Sequence, residues 1–177
     1  DYDPALGYTG SPWVGLQNFK DFFKSVYFLR ILKNTLHISL ASIIFGFPAP
    51  IILALLINEV TSKKYMKTVQ TITYLPHFIS LVVVCGIIKS FTGTNGIITQ
   101  IVSKFTNDST SLLMKPNAFV PVYIISEIWQ GIGWGSIIYI AALAGVDTQL
   151  YEAASLDGCG RLRQVLHVSI PGILPTI

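Results

Sequence analysis

Charge is scarce in this chain. Only 12% of its 177 residues are Asp, Glu, Lys or Arg, about half the share of an ordinary soluble domain. That scarcity argues against a water-soluble core. With 51% hydrophobic residues and a mean hydropathy of +0.59, the composition points to lipid. The net charge of +3 is small and scattered, and no basic block is interleaved with aromatics, so nucleic acid is not the implied partner. Cysteine is rarer still. Cys85 lies in an apolar run and Cys159 in a polar stretch, which argues against a disulfide and leaves two small packing residues. No Cys/His group has metal-ligand spacing, no Ser/His/Asp set or carboxylate pair stands out, and no phosphate-binding Walker sequence occurs. The sequence therefore offers no catalytic residue, no metal site and no cofactor site of its own.

Long apolar runs are what it has. From Leu36 to Ile57 there are 22 residues without a charge; at ~1.5 Å per residue that is about 33 Å, enough for a hydrocarbon core of about 30 Å. A second run extends from Thr68 to Ile88, between Lys67 and Lys89. A third, from about Phe119 to Val146, holds one charge, Glu127. Three such runs imply an all-α, polytopic membrane bundle. Ahead of them, NFKDFFKSVYFLRILKN places Phe19, Phe22, Phe23, Val26 and Tyr27 at helical spacing beside Lys20, Lys24, Arg30 and Lys33. This is the pattern of an amphipathic helix for a membrane surface or for packing on the bundle. Between the second and third runs, Ile97, Ile98, Ile101, Val102 and Phe105 suit one face of a short helix. The first residue is Asp1, and the chain stops at PGILPTI as another apolar segment starts; it reads as an internal part of a longer chain.

The polar stretch YEAASLDGCGRLRQVLHVSIP, residues 151–171, interrupts this pattern. Asp147 suits a helix N-cap. TQLYEAASL then makes a helix with Glu152 early in it, and Gly158 and Gly160 mark the turn. RLRQVLH makes a second helix, with Leu162, Val165 and Leu166 in a stripe and Pro171 as its stop. Ala153 and Ala154 are small enough to let a partner approach closely. The product is a helix–turn–helix too polar to span a membrane, and it reads as a docking surface.

The same stretch resembles the signature of membrane subunits of bacterial ATP-binding-cassette importers. That signature runs Glu-Ala-Ala, three residues, Gly, nine residues, then Ile-x-Leu-Pro. Glu152, Ala153, Ala154, Gly158 and Pro171 match it, with Val168 in place of Ile and Ile170 in place of Leu. FGFPAPIILALLINEV, YLPHFISLVVVCGII and SEIWQGIGWGSIIYIAALAGVD extend the resemblance to the maltose-type (MetI-like) permeases, in particular a subgroup associated with complex oligosaccharides, including polysaccharide and aldouronate types. The resemblance implies a partial permease transmembrane domain over 34–177, with about three complete spans and a cytoplasmic coupling loop at 147–171. Residues 1–33 become an extracytoplasmic segment carrying the interfacial helix, and 60–67 falls inside with 92–118 outside; the Lys/Arg count alone does not decide orientation. It also implies a multi-pass protein of the bacterial cytoplasmic membrane, not itself an enzyme. The implied partners are a second permease subunit, ATPase subunits that bind ATP and Mg, an extracytoplasmic solute-binding protein and the lipid bilayer. The solute would be a carbohydrate. The alternatives are another solute class in the same superfamily, or a gradient-driven secondary transporter, which calls for more intramembrane ionisable groups or inverted repeats.

Three further residues suit a sugar path. A carboxylate within a span is costly unless paired or facing water, so Glu127 either lines the path or bonds a neighbouring helix. Trp129 and Trp134 on the same run suit stacking on a sugar ring or plain packing. Gly131, Gly133 and Gly135 fit close helix packing or local unwinding. Pro48 and Pro50 are expected to bend or break the first span, and Pro76 with His77 to act alike in the second.

Overall fold

The computed structural model describes residues 4, 5, 7–10 and 13–177. Among the described residues there are helices and turns and no strand. The chain divides into two compact units, Asp1–Leu40 and Ala41–Ile177.

The first unit holds α1 (Gly7–Gly10), α2 (Gln17–Lys24) and most of α3 (Phe28–Ala41). The single amphipathic helix expected over 18–34 is two helices. Ser25 turns extended, with ψ 137°, and its Oγ accepts the Tyr27 N–H at 3.2 Å. Val26 and Tyr27 thus sit in the joint instead of on the α2 face. Phe22, Phe23 and Phe28 meet edge-on across it, with ring centroids 5.1–5.6 Å apart.

The second unit contains α4 (Pro48–Asn58), α5 (Lys63–Tyr74), α6 (Leu81–Thr92), α7 (Ile97–Thr106), α8 (Pro116–Ala144), α9 (Thr148–Leu156), α10 (Arg161–Gln164) and α11 (Ile170–Ile173). Among the described residues, two helices are long and apolar enough to cross a membrane, Phe28–Asn58 and Leu81–Thr106; a third is α8 with α9 if that pair, bent by 72°, is taken as one span. The first expected span lies inside Phe28–Asn58. The second does not form one helix. Pro76 has no N–H to carry the helix on, α5 tightens into a 3₁₀ turn at Leu75–Phe78, and Ile79 is extended at ψ 131° before α6 begins at Leu81. The short helix expected near 97–105 is α7.

Two wide π turns explain how helix passes through proline. At Ser42–Gly46 the Phe47 N–H bonds back five residues to the Ser42 carbonyl at 3.3 Å. Pro48 follows directly and opens α4, where its missing N–H costs nothing. At Val165–Ser169 the Ile170 N–H likewise reaches the Val165 carbonyl, and Pro171 follows. The widened ring moves the last donor to the residue before the proline, so the helix bends without stopping. The expectation that Pro171 ends its helix is corrected on this ground: α11 runs on to Ile173.

Helix α8 is the common support. Ala54 of α4, Leu143 of α8 and Ile173 of α11 form a core cluster, each at most 4% exposed. Gly133 of α8 lies against the α5 backbone so closely that a Cβ there would stand 2.1 Å from the Thr73 carbonyl oxygen. Gly135 faces the Pro50 ring, whereas Gly131 has open space around it. Gly133 and Gly135 therefore serve close packing, Gly131 does not, and α8 stays helical through all three. In the 92–118 loop, the Thr99 and Ser111 hydroxyls both donate to the Thr92 carbonyl, at 2.8 and 2.9 Å. Lys115 Nζ lies 2.8 Å from Asp108 Oδ2. That ammonium, with help from Thr110, holds the Asp108 carboxyl well below the usual carboxylate range.

Candidate functional site

The polar loop is built by ordinary capping chemistry. Asp147 accepts the Gln149 N–H at 2.9 Å and starts α9, satisfying one of the helix's free donors. At the other end, Gly158 takes φ +77°. Its N–H reaches the Ser155 carbonyl at 3.1 Å, and the Cys159 N–H reaches the Ala154 carbonyl at 2.9 Å. These paired bonds are a Schellman closure, which needs a left-handed residue where glycine sits without penalty. The result is a nine-residue helix turned 72° out of α8.

Glu152, Ala153 and Leu156 of α9 are exposed, as are Arg161 and Arg163 of α10. Leu156 is 90% exposed. The inward side of the loop is tied down. The Tyr151 hydroxyl lies 3.0 Å from the hydroxyl of Ser169, itself fully buried. Gln164 Nε2 donates to the Ser155 hydroxyl at 2.8 Å and the Cys159 carbonyl at 3.2 Å. Beside α10 an apolar groove of about 400 Å³ is walled by Ile52, Leu55 and Leu56 of α4 with Leu162 and Val165, and rimmed by Glu59 and Arg161.

Glu127 stands elsewhere, on α8. Ser42 Oγ lies 2.8 Å from each of its carboxylate oxygens. The two residues border a cleft of about 330 Å³ shared with Gly46, Phe47, Pro50 and Gly131. Trp134 lies seven residues further along, the same side of a helix at about 100° per residue, whereas Trp129 lies roughly opposite. His77 stacks on Trp134 with centroids 4.5 Å apart and a 3° tilt, and Phe78 meets it edge-on at 5.8 Å. Gln130 Nε2 reaches the Ile79 carbonyl at 3.3 Å, where the broken span leaves an acceptor free. The structure places Glu152, Ala153 and Ala154 on α9, Gly158 in the turn after it and Pro171 in α11. Of the intramembrane trio it brings Glu127 and Trp134 to one face and sets Trp129 apart. Sequence reasoning missed Ser42, 85 positions from its partner, and the Tyr151–Ser169 pair; no spacing rule reaches either. Both cysteines are free.

A family described as the binding-protein-dependent transport system inner membrane component matches residues 46–177. The chain belongs to this family. It is 44% identical over its full length to Protein LplB of Bacillus subtilis (strain 168) and also 44% identical to the polygalacturonan/rhamnogalacturonan transport system permease protein YteP of the same organism. It spans 56% of the length of each of these relatives. A solved bacterial ABC transporter involved in importing the acidic polysaccharide alginate superposes with a TM-score of 0.87 at 45% identity, over 94% of this chain and 58% of that one. A second structure, a bacterial alginate ABC transporter in complex with an alginate pentasaccharide-bound periplasmic protein, gives a TM-score of 0.85 at 44% identity, over 92% of this chain and 57% of that one. The resemblance carried by the 152–171 signature and the all-α membrane fold are borne out by these matches.

Proposed function

We propose that this chain is the membrane-spanning part of a permease subunit in an ATP-binding-cassette importer. It would carry an oligosaccharide, of the uronic-acid-containing kind, across the cytoplasmic membrane. ATP and Mg belong to separate ATPase subunits, and the chain itself performs no hydrolysis. A second permease subunit and an extracytoplasmic solute-binding protein complete the assembly. In this reading 147–171 and 60–67 face the cytoplasm, 92–118 faces outside, and α2 lies at the outer membrane surface with Lys20 and Lys24 toward the headgroups. Glu127 and Trp134 line the sugar path. The observation that carries the reading is α9: a short, capped, polar helix turned out of the long α8, with Glu152, Ala153 and Leu156 presented outward and Ala154 half-buried. Such a helix suits insertion into a cleft on a partner.

Gly158→Leu tests it. A Cβ at Gly158 meets nothing within 4 Å, so the change acts through the φ of +77°, where a non-glycine residue costs roughly 1–2 kcal/mol. The complex is expected to assemble and hydrolyse ATP, while uptake of a labelled oligogalacturonide per ATP falls several-fold. Assembly with uptake at the unsubstituted rate would contradict docking. A second reading, import of a phosphorylated polyol, is favoured by a 29% identity to the sn-glycerol-3-phosphate transport system permease protein UgpA of Salmonella typhi. Competition of labelled oligogalacturonide against labelled glycerol 3-phosphate in the unsubstituted importer separates the two.

A further inference from the structure

The coupling loop is fastened at both ends of α9, and the two fastenings differ in where they lead. At the C-terminal end Gln164 Nε2 holds the Ser155 hydroxyl and the Cys159 carbonyl, at 2.8 and 3.2 Å. This tie joins α9 to α10 within the loop. In the first turn the Tyr151 hydroxyl meets the Ser169 hydroxyl at 3.0 Å. Ser169 is 0% exposed and closes the π turn Val165–Ser169. That turn leads through Pro171 into Ile173, which is packed with Ala54 of α4 and Leu143 of α8. A hydroxyl buried this deeply needs a partner.

We propose that Tyr151 is a positioning residue for energy coupling: its bond to Ser169 carries displacement of α9 into the π turn and so into the α4–α8–α11 core. The inference rests on the reading of α9 as the ATPase-docking helix. A π turn suits this role, because one surplus residue per turn gives it an alternative register. The Gln164 tie makes α9 and α10 move together, and the Tyr151 tie makes the core follow. Without the second tie, α9 tilts about its Gln164 end and its motion dissipates in the loop.

The test uses the full-length importer complex in proteoliposomes, with Cys85 and Cys159 replaced and a single reporter from Ile43→Cys at the cleft beside Glu127. The readout is the rate of thiol labelling at position 43 with and without ATP plus vanadate, alongside ATP hydrolysis and complex recovery. Tyr151→Phe keeps the ring and removes only the hydroxyl. The expected result is normal recovery and retained hydrolysis, with the nucleotide-dependent change in labelling reduced roughly three- to tenfold, the range a single neutral hydrogen bond commands. Ser169→Ala should reproduce this, and the double variant should be no worse than either single one, as befits one shared interaction. Undiminished nucleotide dependence in Tyr151→Phe overturns the inference. If Gly158→Leu abolishes the dependence in the same experiment, docking stands and only the strut is lost. If neither substitution has an effect, or the unsubstituted complex shows no nucleotide dependence, the docking reading falls and takes this inference with it.

Discussion

The two π turns are one backbone device in two settings. Each ends two residues before a proline, at Pro48 and at Pro171, and each sends a serine hydroxyl to another element. Ser42 begins its turn, is partly exposed and meets a carboxylate on α8 beside a cleft. Ser169 ends its turn, is wholly buried and meets a phenol on α9. The difference is one of surroundings. The Glu127 carboxylate borders a cleft of about 330 Å³ together with Ser42, so the 42–46 turn sits beside open space. Two neutral hydroxyls need no water, so the 165–169 turn can sit inside packed protein. In the reading proposed above, the same relief of proline strain marks a path in one place and a transmission joint in the other.

The comparison breaks most severely if α8 is not the support shared by both turns. Gly133→Ala tests this, because its Cβ would fall 2.1 Å from the Thr73 carbonyl oxygen. Displacing a backbone in a packed interface costs on the order of 1–3 kcal/mol. Recovery of assembled complex and its thermal midpoint in detergent should both drop sharply. Gly131→Ala is the control: nothing stands within 4 Å, and alanine is the better helix former by about 1 kcal/mol. Equal loss at both positions would remove close packing as the cause.

A smaller effect sharpens the claim that the 42–46 turn faces a path. Glu127→Gln preserves size and a hydrogen bond to Ser42; Glu127→Leu preserves neither. Uptake of labelled oligogalacturonide, normalised to recovered complex, should fall modestly for Gln and several-fold more for Leu, with ATP hydrolysis retained. A fall in recovery instead of normalised uptake would make the pair a helix clamp. Equal normalised uptake for Leu and the unsubstituted protein would take Glu127 out of the path.

Local chemistry was legible in the sequence wherever it acts over a few residues. Asp147 as a cap, Gly158 as a turn and the α7 stripe each follow from spacing within one or two turns. Pro76 signalled a bend or break in the 68–88 run, and the structure breaks there; hydropathy, which records what lipid tolerates, did not show that Ile79 turns extended before α6 begins. Pro171 misled: proline excludes an α-helical hydrogen bond, but a π turn avoids that bond altogether. The contacts that give the candidate sites their character join residues 85 and 18 positions apart. Only the packing of α4, α8 and α11 brings them together. The aromatic run at 19–27 showed its periodicity but not the joint at Ser25.

The central claim is that α9 is the contact with an ATPase. Ala153→Cys, in a chain lacking Cys85 and Cys159, places a thiol on the exposed face of α9. A bifunctional thiol reagent applied to the assembled importer should link position 153 to the ATPase subunit in high yield, with the yield changing when ATP and vanadate are added. A cysteine from Lys104→Cys on α7 should give no such link. Cross-linking from position 104 and none from 153 would contradict the account.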